Sequence, residues 1–356
     1  MKDFKPIQLS CVEAVTADVP APIEDRGYGA KYIRFGKDNM YPDFLLQCYD
    51  ECATLQSIIN GIADYIAGAG MTEQDKENLV VNTAGETLLD LAKKATLDYL
   101  IFGAFAINVL RNRRHEVSEL YYLDVRKVRL NEDGDTAYVR NRWSTGGKML
   151  TYPVFRAVDL TQNSSVFYFK VPRSRGTYGL PMWSAATKDV RTSIEISTYH
   201  LSSILNNFAP SAIVNFNNGV PTQEVKEEIE RKLNKKFSGA SNAARLLVSF
   251  NDSKDNAVTL ERMTEDNFDK KYEALSKSVR ENIFIAFRAH PQLFGADPER
   301  QGFNSVEYEQ TFKLFKETVV SPLQSEIEKA FAAIGGRYAF QFNEFTIDFA
   351  TGGAEA

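Results

Sequence analysis

The chain has 356 residues, of which 44% are apolar, 25% charged and 12% aromatic. This lies within the range of folded globular proteins and outside the collagen-like, coiled-coil and disordered classes. Lysine and arginine total 42 against 47 aspartate and glutamate, a net charge of −5, which argues against a protein that grips nucleic acid or an anionic membrane over a broad basic face. Cys11, Cys48 and Cys52 are too few and too odd a set for a disulfide framework, and no charged-then-apolar leader opens the sequence, so a reducing compartment is expected. No uncharged apolar run reaches the roughly 18 residues of a membrane span, and the length suggests about two domains or one elaborate one.

Residues 1–53 hold Pro6, Pro20, Pro22, Gly27, Gly29 and Pro42, which predicts an extended arm lying on a neighbouring subunit. Residues 54–181 form the next region. Leu55, Ile58, Ile59, Ile62, Tyr65, Ile66 and Ala69 recur at three and four and close at Gly68 and Gly70, as in an amphipathic helix with a glycine stop. A second helix is expected from Thr87 to Phe102; Gly103 breaks it before a strand over Phe105 to Leu110. Strands are then expected near 119–130, 136–143 and 165–171, with turns at Asn131 to Gly134 and at Gly146-Gly147, as a small meander or sandwich. Residues 172–181 read as a loop and a boundary.

Residues 182–208 and 263–289 read as two 27-residue helices, each roughly 40 Å long at the α-helical rise and similar enough to run antiparallel. Between them, 209–262 predicts a small α/β insert: a strand over Ala212 to Phe216, a helix over Thr222 to Phe237, and strands over Arg245 to Phe250 and Ala257 to Arg262. Residues 290–304 hold Pro291, Gly295, Pro298 and Gly302 and cannot pack as helix. Over 305–356, a helix from Ser305 to about Ile334 carries Pro322, which should kink it, and Tyr338 to Phe349 alternate as a closing strand. The class is α+β.

The phosphate-loop, dinucleotide, zinc and nucleophile-elbow motifs are absent, which lowers the odds of an enzyme. His115, His200 and His290 are scattered along the chain, and Cys48 and Cys52 read as packing thiols. Asp297 and Glu299 flank Pro298 in a polar loop and read as solvated carboxylates. No catalytic residue, cofactor or metal ligand is assigned. Eight basic residues face seven acidic ones in the insert, so it carries no basic stripe, and its Glu and Lys residues are spaced as helix-surface pairs.

Four stretches, in order and with their spacing kept, carry a family likeness. They are Arg175 to Pro181 with Ala185-Ala186 behind it, Asn282 to Phe287 leading into His290-Pro291-Gln292-Leu293-Phe294-Gly295, Asn304-Ser305-Val306-Glu307, and Val320-Ser321-Pro322-Leu323 followed by Ile327-Glu328. With the layout around them, the chain resembles the portal proteins, the head-to-tail connectors of tailed bacteriophages. His290-Pro291 departs from the small residue and paired prolines common there.

The resemblance implies a portal-like fold. A mixed wing would span 54–181, stem helices 182–208 and 263–289 would carry a clip at 209–262, 290–304 would be a tunnel loop, and 305–356 would hold the kinked helix and closing strand with the crown short or absent. It implies a homo-oligomeric ring of about twelve subunits at one capsid vertex, assembled in the host cytoplasm and carried in the virion. Its partners would be the terminase large subunit, major capsid and scaffold proteins, a head-completion adaptor and double-stranded DNA in passage, with no membrane.

On the same footing, tunnel-loop residues Gln292, Arg300, Gln301 and Asn304 are candidates for transient DNA contact, and Lys270, Lys271 and Lys277 are possible channel-facing stem residues. Clip residues Glu227, Glu228, Arg231 and Lys235 are candidates for docking terminase and then an adaptor. Twelve copies at −5 would carry about −60, a charge that repels rather than traps a duplex. The alternatives are a ring-forming tail-side or non-viral adaptor with the same layout, and an enzyme with an unrecognised site. Docking of terminase discriminates the first and turnover of a nucleotide the second.

Overall fold

The computed structural model describes residues 19–27, 29–158, 162–205, 212–216, 222, 224, 246–250, 268–295 and 305–347. The chain divides into two units, one of residues 1–46, 78–181 and 332–339, the other of 47–77, 182–331 and 340–356.

In the first unit, β1 (Glu24–Asp25) and β2 (Arg34–Phe35) form a short antiparallel ribbon. The helix α1 (Tyr41–Glu51), whose last five residues belong to the second unit, follows and corrects the expectation of an extended arm through residue 53. Pro42 falls in its first turn, where a missing N–H deprives no intrahelical acceptor. Tyr41, Phe44, Leu45 and Cys48 are buried at three-and-four spacing, a period hidden by the density of prolines and glycines before it.

The helices α2 (Ala53–Ala67) and α3 (Gln74–Glu77) belong to the second unit. Back in the first, α4 (Leu88–Phe102) opens with a capping box. Thr87 Oγ1 accepts from the Asp90 N–H at 3.1 Å, and the Asp90 carboxylate accepts from the Thr87 N–H at 3.1 Å, closing two of the open donors at the helix start. The helix ends at Gly103, whose φ of +72° only glycine adopts without strain. A Cβ built there would also lie 2.6 Å from the Pro181 nitrogen.

The strand β3 (Ala104–Arg111) is the centre of an antiparallel sheet, flanked by β4 (Val117–Leu123) and β8 (Ser164–Lys170). Its unbroken buried run from Ala104 to Ile107 marks a strand covered on both faces. A second antiparallel sheet orders β5 (Val128–Leu130), β6 (Thr136–Val139) and β7 (Leu150–Pro153). The single strand expected over 119–130 is therefore two. Asp124 accepts from the Arg126 N–H at 3.0 Å and opens a 3-10 turn at Val125–Lys127, which sends the halves into different sheets.

Arg129 on β5 is fully buried, with no carboxylate bonded to it among the described residues. Its guanidinium donates to Asn39 Oδ1 at 2.7 Å and to the carbonyls of Asn39, Arg126 and Val128 at 2.6, 3.0 and 2.8 Å. It also lies over the rings of Trp143 and Tyr178. These acceptors and ring faces spread a charge that would otherwise be too costly to bury.

In the second unit, α2 is fully buried at Leu55, Ile58, Ile59, Ile62 and Ile66. The helices α5 (Thr187–Leu205) and α6 (Phe268–Ala286) pair antiparallel. Asn282 Nδ2 donates to Asp189 Oδ1 at 2.8 Å toward one end, and the rings of Tyr199 and Tyr272 stack 5.3 Å apart toward the other. Each has 19 residues rather than the 27 expected. A 3-10 turn at Ser184–Ala186 precedes α5, and residues 206–208 and 263–267 lie outside the described residues.

Between them β9 (Ala212–Phe216) and β10 (Leu246–Phe250) pair in parallel. The helix expected over 222–237, apart from Thr222 and Glu224, and the strand expected over 257–262 lie outside the described residues.

The helices α7 (Ser305–Phe315) and α8 (Ser321–Ile334) are joined by a π turn at Lys316–Val320, closed by the Ser321 N–H on the Lys316 carbonyl. Pro322 has no N–H to give, and the wider turn just before it absorbs the break. The closing strand expected over 338–349 is corrected. Gly336–Tyr338 is a 3-10 turn and Phe342 makes a lone bridge to Met71. Phe340 and Phe342 are buried in alternation, and the bridge is closed by the Thr72 N–H on the Gln341 carbonyl at 3.0 Å and the Asn343 N–H on the Gly70 carbonyl at 2.9 Å, while the Phe342 N–H goes to Glu328 Oε1 at 2.8 Å.

Candidate functional site

The approach to the 290–304 loop is the best-described part of the expected site. After α6 ends at Ala286, the N–H groups of Phe287 and Arg288 bond three residues back and Arg288 takes a φ of +52°. The chain then closes into a 3-10 turn at Pro291–Phe294. His290 caps it, its Nδ1 accepting from the Gln292 N–H at 3.4 Å, and Gly295 in the left-handed region stops it.

This turn is pinned to α2. The Tyr65 hydroxyl donates to the Leu293 carbonyl at 3.0 Å. The Phe294 ring lies about 6 Å from those of Tyr65, Phe284 and Phe315. Gly61 leaves room for it, since a Cβ there would lie 2.7 Å from Phe294 Cε1. Burial, with Tyr308 beside it, pushes the Tyr65 phenol up to about 12, so it keeps its proton and stays a donor. No motif marks this anchor; the only sequence signal is a glycine on the apolar face of α2 and the Phe312 and Phe315 pair.

Gln292 sits in the pinned turn, half-buried, with its N–H and carbonyl both engaged. Lys277 is exposed on α6. Lys270 and Lys271 lie in the first turn of the same helix, their side chains outside the described residues. Arg300, Gln301, Asn304, Glu227, Glu228, Arg231 and Lys235 all lie outside the described residues. The pair α5 and α6 leaves Tyr199, Leu201 and Leu275 exposed, and Ile285 is 69% exposed.

Elsewhere, Asp98 on α4 is buried and accepts from the Tyr122 hydroxyl at 3.0 and 3.1 Å. Burial lifts its carboxyl well above the usual range, against the pull of that hydrogen bond. Cys48 and Cys52 are both free and buried, and burial pushes the Cys48 thiol up to about 12, which suits packing rather than reaction. Among the described residues no three acidic, histidine or cysteine side chains gather as a metal site, and no helix is long and apolar enough to cross a membrane.

Residues 82–351 match the family model for the phage portal protein. An uncharacterised protein of Rickettsia bellii is 28% identical over 175 residues, which is 48% of this chain and 43% of the relative, so the match spans less than half of that protein. Among solved structures, a chain from the neck of an empty GTA particle superposes with a TM-score of 0.55 at 18% identity, over 84% of this chain and 83% of that one. An HK97 family phage portal protein from Corynebacterium diphtheriae gives 0.52 at 12% identity, over 84% and 94%. Identities this low establish a shared fold.

Proposed function

The chain belongs to the phage portal protein family, and from that footing we propose that it assembles as a ring of about twelve copies at one vertex of a viral capsid. There it would act as the channel through which the genome is packaged and ejected. The observation that carries this is the family match over residues 82–351 on a portal-like fold. The apolar side chains exposed on α5 and α6 support assembly, because among the described residues nothing covers them.

The role is structural and needs no catalytic group. The pinned turn at Pro291–Phe294 gives the tunnel loop a fixed base, from which Gln292, Arg300, Gln301 and Asn304 would touch passing DNA. Lys270, Lys271 and Lys277 on α6 would face the channel, and a ring charge of about −60 keeps the duplex weakly held. The insert at 209–262, through Glu227, Glu228, Arg231 and Lys235, would dock the terminase large subunit and later a head-completion adaptor. The ring would be built in the host cytoplasm with major capsid and scaffold proteins and carried in the virion.

Negative-stain electron microscopy of the purified chain, beside a light-scattering mass, tests the assembly. Closed rings with an open centre are the expected result. A strict monomer at high concentration refutes self-assembly.

A further inference from the structure

A groove of about 650 Å³ opens in the first unit between the start of α1, the 3-10 turn after β4 and the segment after β6. Asp43, Asp124, Arg126, Lys127, Arg142 and Trp143 line it. The charges do not balance. Arg126 holds both carboxylates, Asp124 at 2.6 Å and Asp43 at 3.4 Å, while Lys127 and Arg142 make no ion pair among the described residues. Behind the wall, Trp143 lies between two more guanidinium groups, Arg129 at 5.1 Å and Arg140 at 5.2 Å from its ring. Three cations therefore line the groove against two carboxylates, in a chain whose net charge is −5.

The hydrogen bonding is incomplete in the same place. Trp143 is only 9% exposed, yet its indole N–H has no acceptor, and neither has the buried Nε–H of Arg140, whose guanidinium lies over the Trp143 ring. Buried donors normally find a partner, and the orphaned indole N–H of a residue that lines the groove, beside Lys127 and Arg142, marks a place for an acceptor that carries negative charge.

We propose that this groove binds a partner protein through an acidic peptide segment, a Glu or Asp carboxylate meeting Arg142 and Lys127 beside Trp143. The wall selects among anions. Asp43 and Asp124 repel a phosphate backbone, in which every residue is charged, but leave space for one carboxylate among neutral neighbours. Met40 and the Trp143 ring offer apolar surface to the methylenes of such a side chain. The volume suits a short run of residues better than a lone carboxyl group.

Binding is read on the full chain by intrinsic tryptophan fluorescence, whatever its assembly state, so failure here and failure of the ring are separate results. The probes are the capped peptides Ac-Ala-Glu-Ala-NH2 and Ac-Ala-Gln-Ala-NH2, acetate and inorganic phosphate. The glutamate peptide is expected to change the signal saturably and to bind at least about tenfold more tightly than its glutamine twin, the usual margin of a charge-assisted contact. Trp143→Phe should abolish the response, leaving Trp183 silent. Arg142→Ala, at an exposed position, should weaken binding about tenfold with an unchanged unfolding curve, and it carries the test if Trp143→Phe fails to fold. Equal affinity for the two peptides, or tighter binding of phosphate, overturns the proposal, and acetate binding as tightly as the peptide overturns the peptide as occupant.

Discussion

Replacing Gly103 with alanine separates two reasons for a glycine that usually arrive together. The residue has a φ of +72°, and its α-face meets the main chain of Leu180 and Pro181. Gly134, in the turn between β5 and β6, has a φ of +67° with nothing within 4 Å of a built Cβ. Both alanines incur left-handed strain of about 1 kcal/mol, partly offset by a stiffer unfolded chain worth about 0.5 kcal/mol. Gly134→Ala should therefore cost only about 0.5 kcal/mol.

At Gly103 the new Cβ lies 2.6 Å from a backbone nitrogen where ordinary contact begins at 3.4 Å. The neighbour is main chain and cannot swing aside as a side chain would, so overpacking adds about 1–3 kcal/mol. Urea unfolding followed by circular dichroism of the two variants gives the difference directly, with Gly103→Ala expected to be the less stable by about 2 kcal/mol. Equal losses would refute the argument, because they would show that backbone conformation alone sets the requirement.

Asp98→Asn should make stability less dependent on pH. The buried carboxyl is held above its usual 3.8, so the native state binds the extra proton and wild-type stability falls as pH rises above that value. Tyr122, Asp124, Arg126 and the Val125 N–H face the group and would remain. The variant should gain on wild type as pH rises from about 4 in paired urea titrations, and a difference that stays constant with pH would sink the reasoning. Tyr65→Phe removes the hydroxyl on the Leu293 carbonyl, about 1 kcal/mol, and should speed amide exchange at Gln292 to Gly295 about fivefold. Unchanged exchange would show that the aromatic contacts alone hold the turn.

Much of the fold is legible where a local period meets a local stop. The helices α2 and α4 announce themselves by apolar residues at three and four and by Gly68 and Gly103, and β3 by an unbroken apolar run. The misreadings have non-local or competing causes. At α1, prolines conceal a valid period; at Asp124 one carboxylate on a neighbouring N–H splits a strand; after Tyr338, the partner segment at Gly70 to Thr72 is short and the pairing stops at a single bridge. Arg129 illustrates the limit for sites, since its partner Asn39 stands 90 residues away and no spacing rule joins them. Gln292 could be named from its loop, but the Tyr65 hydroxyl and Gly61 that fix its turn lie more than 200 residues earlier.

The antiparallel pairing of α5 and α6 brings the departure and the return of the insert to one place, near the stacked Tyr199 and Tyr272. Sixty-two residues leave after Leu205 and come back at Phe268, and the helix pair holds those two ends together. Closing such an excursion costs roughly 0.6 kcal/mol more for each doubling of its length. A change in the length of that excursion therefore costs little in closure entropy, so long as its two ends still meet at the helix pair.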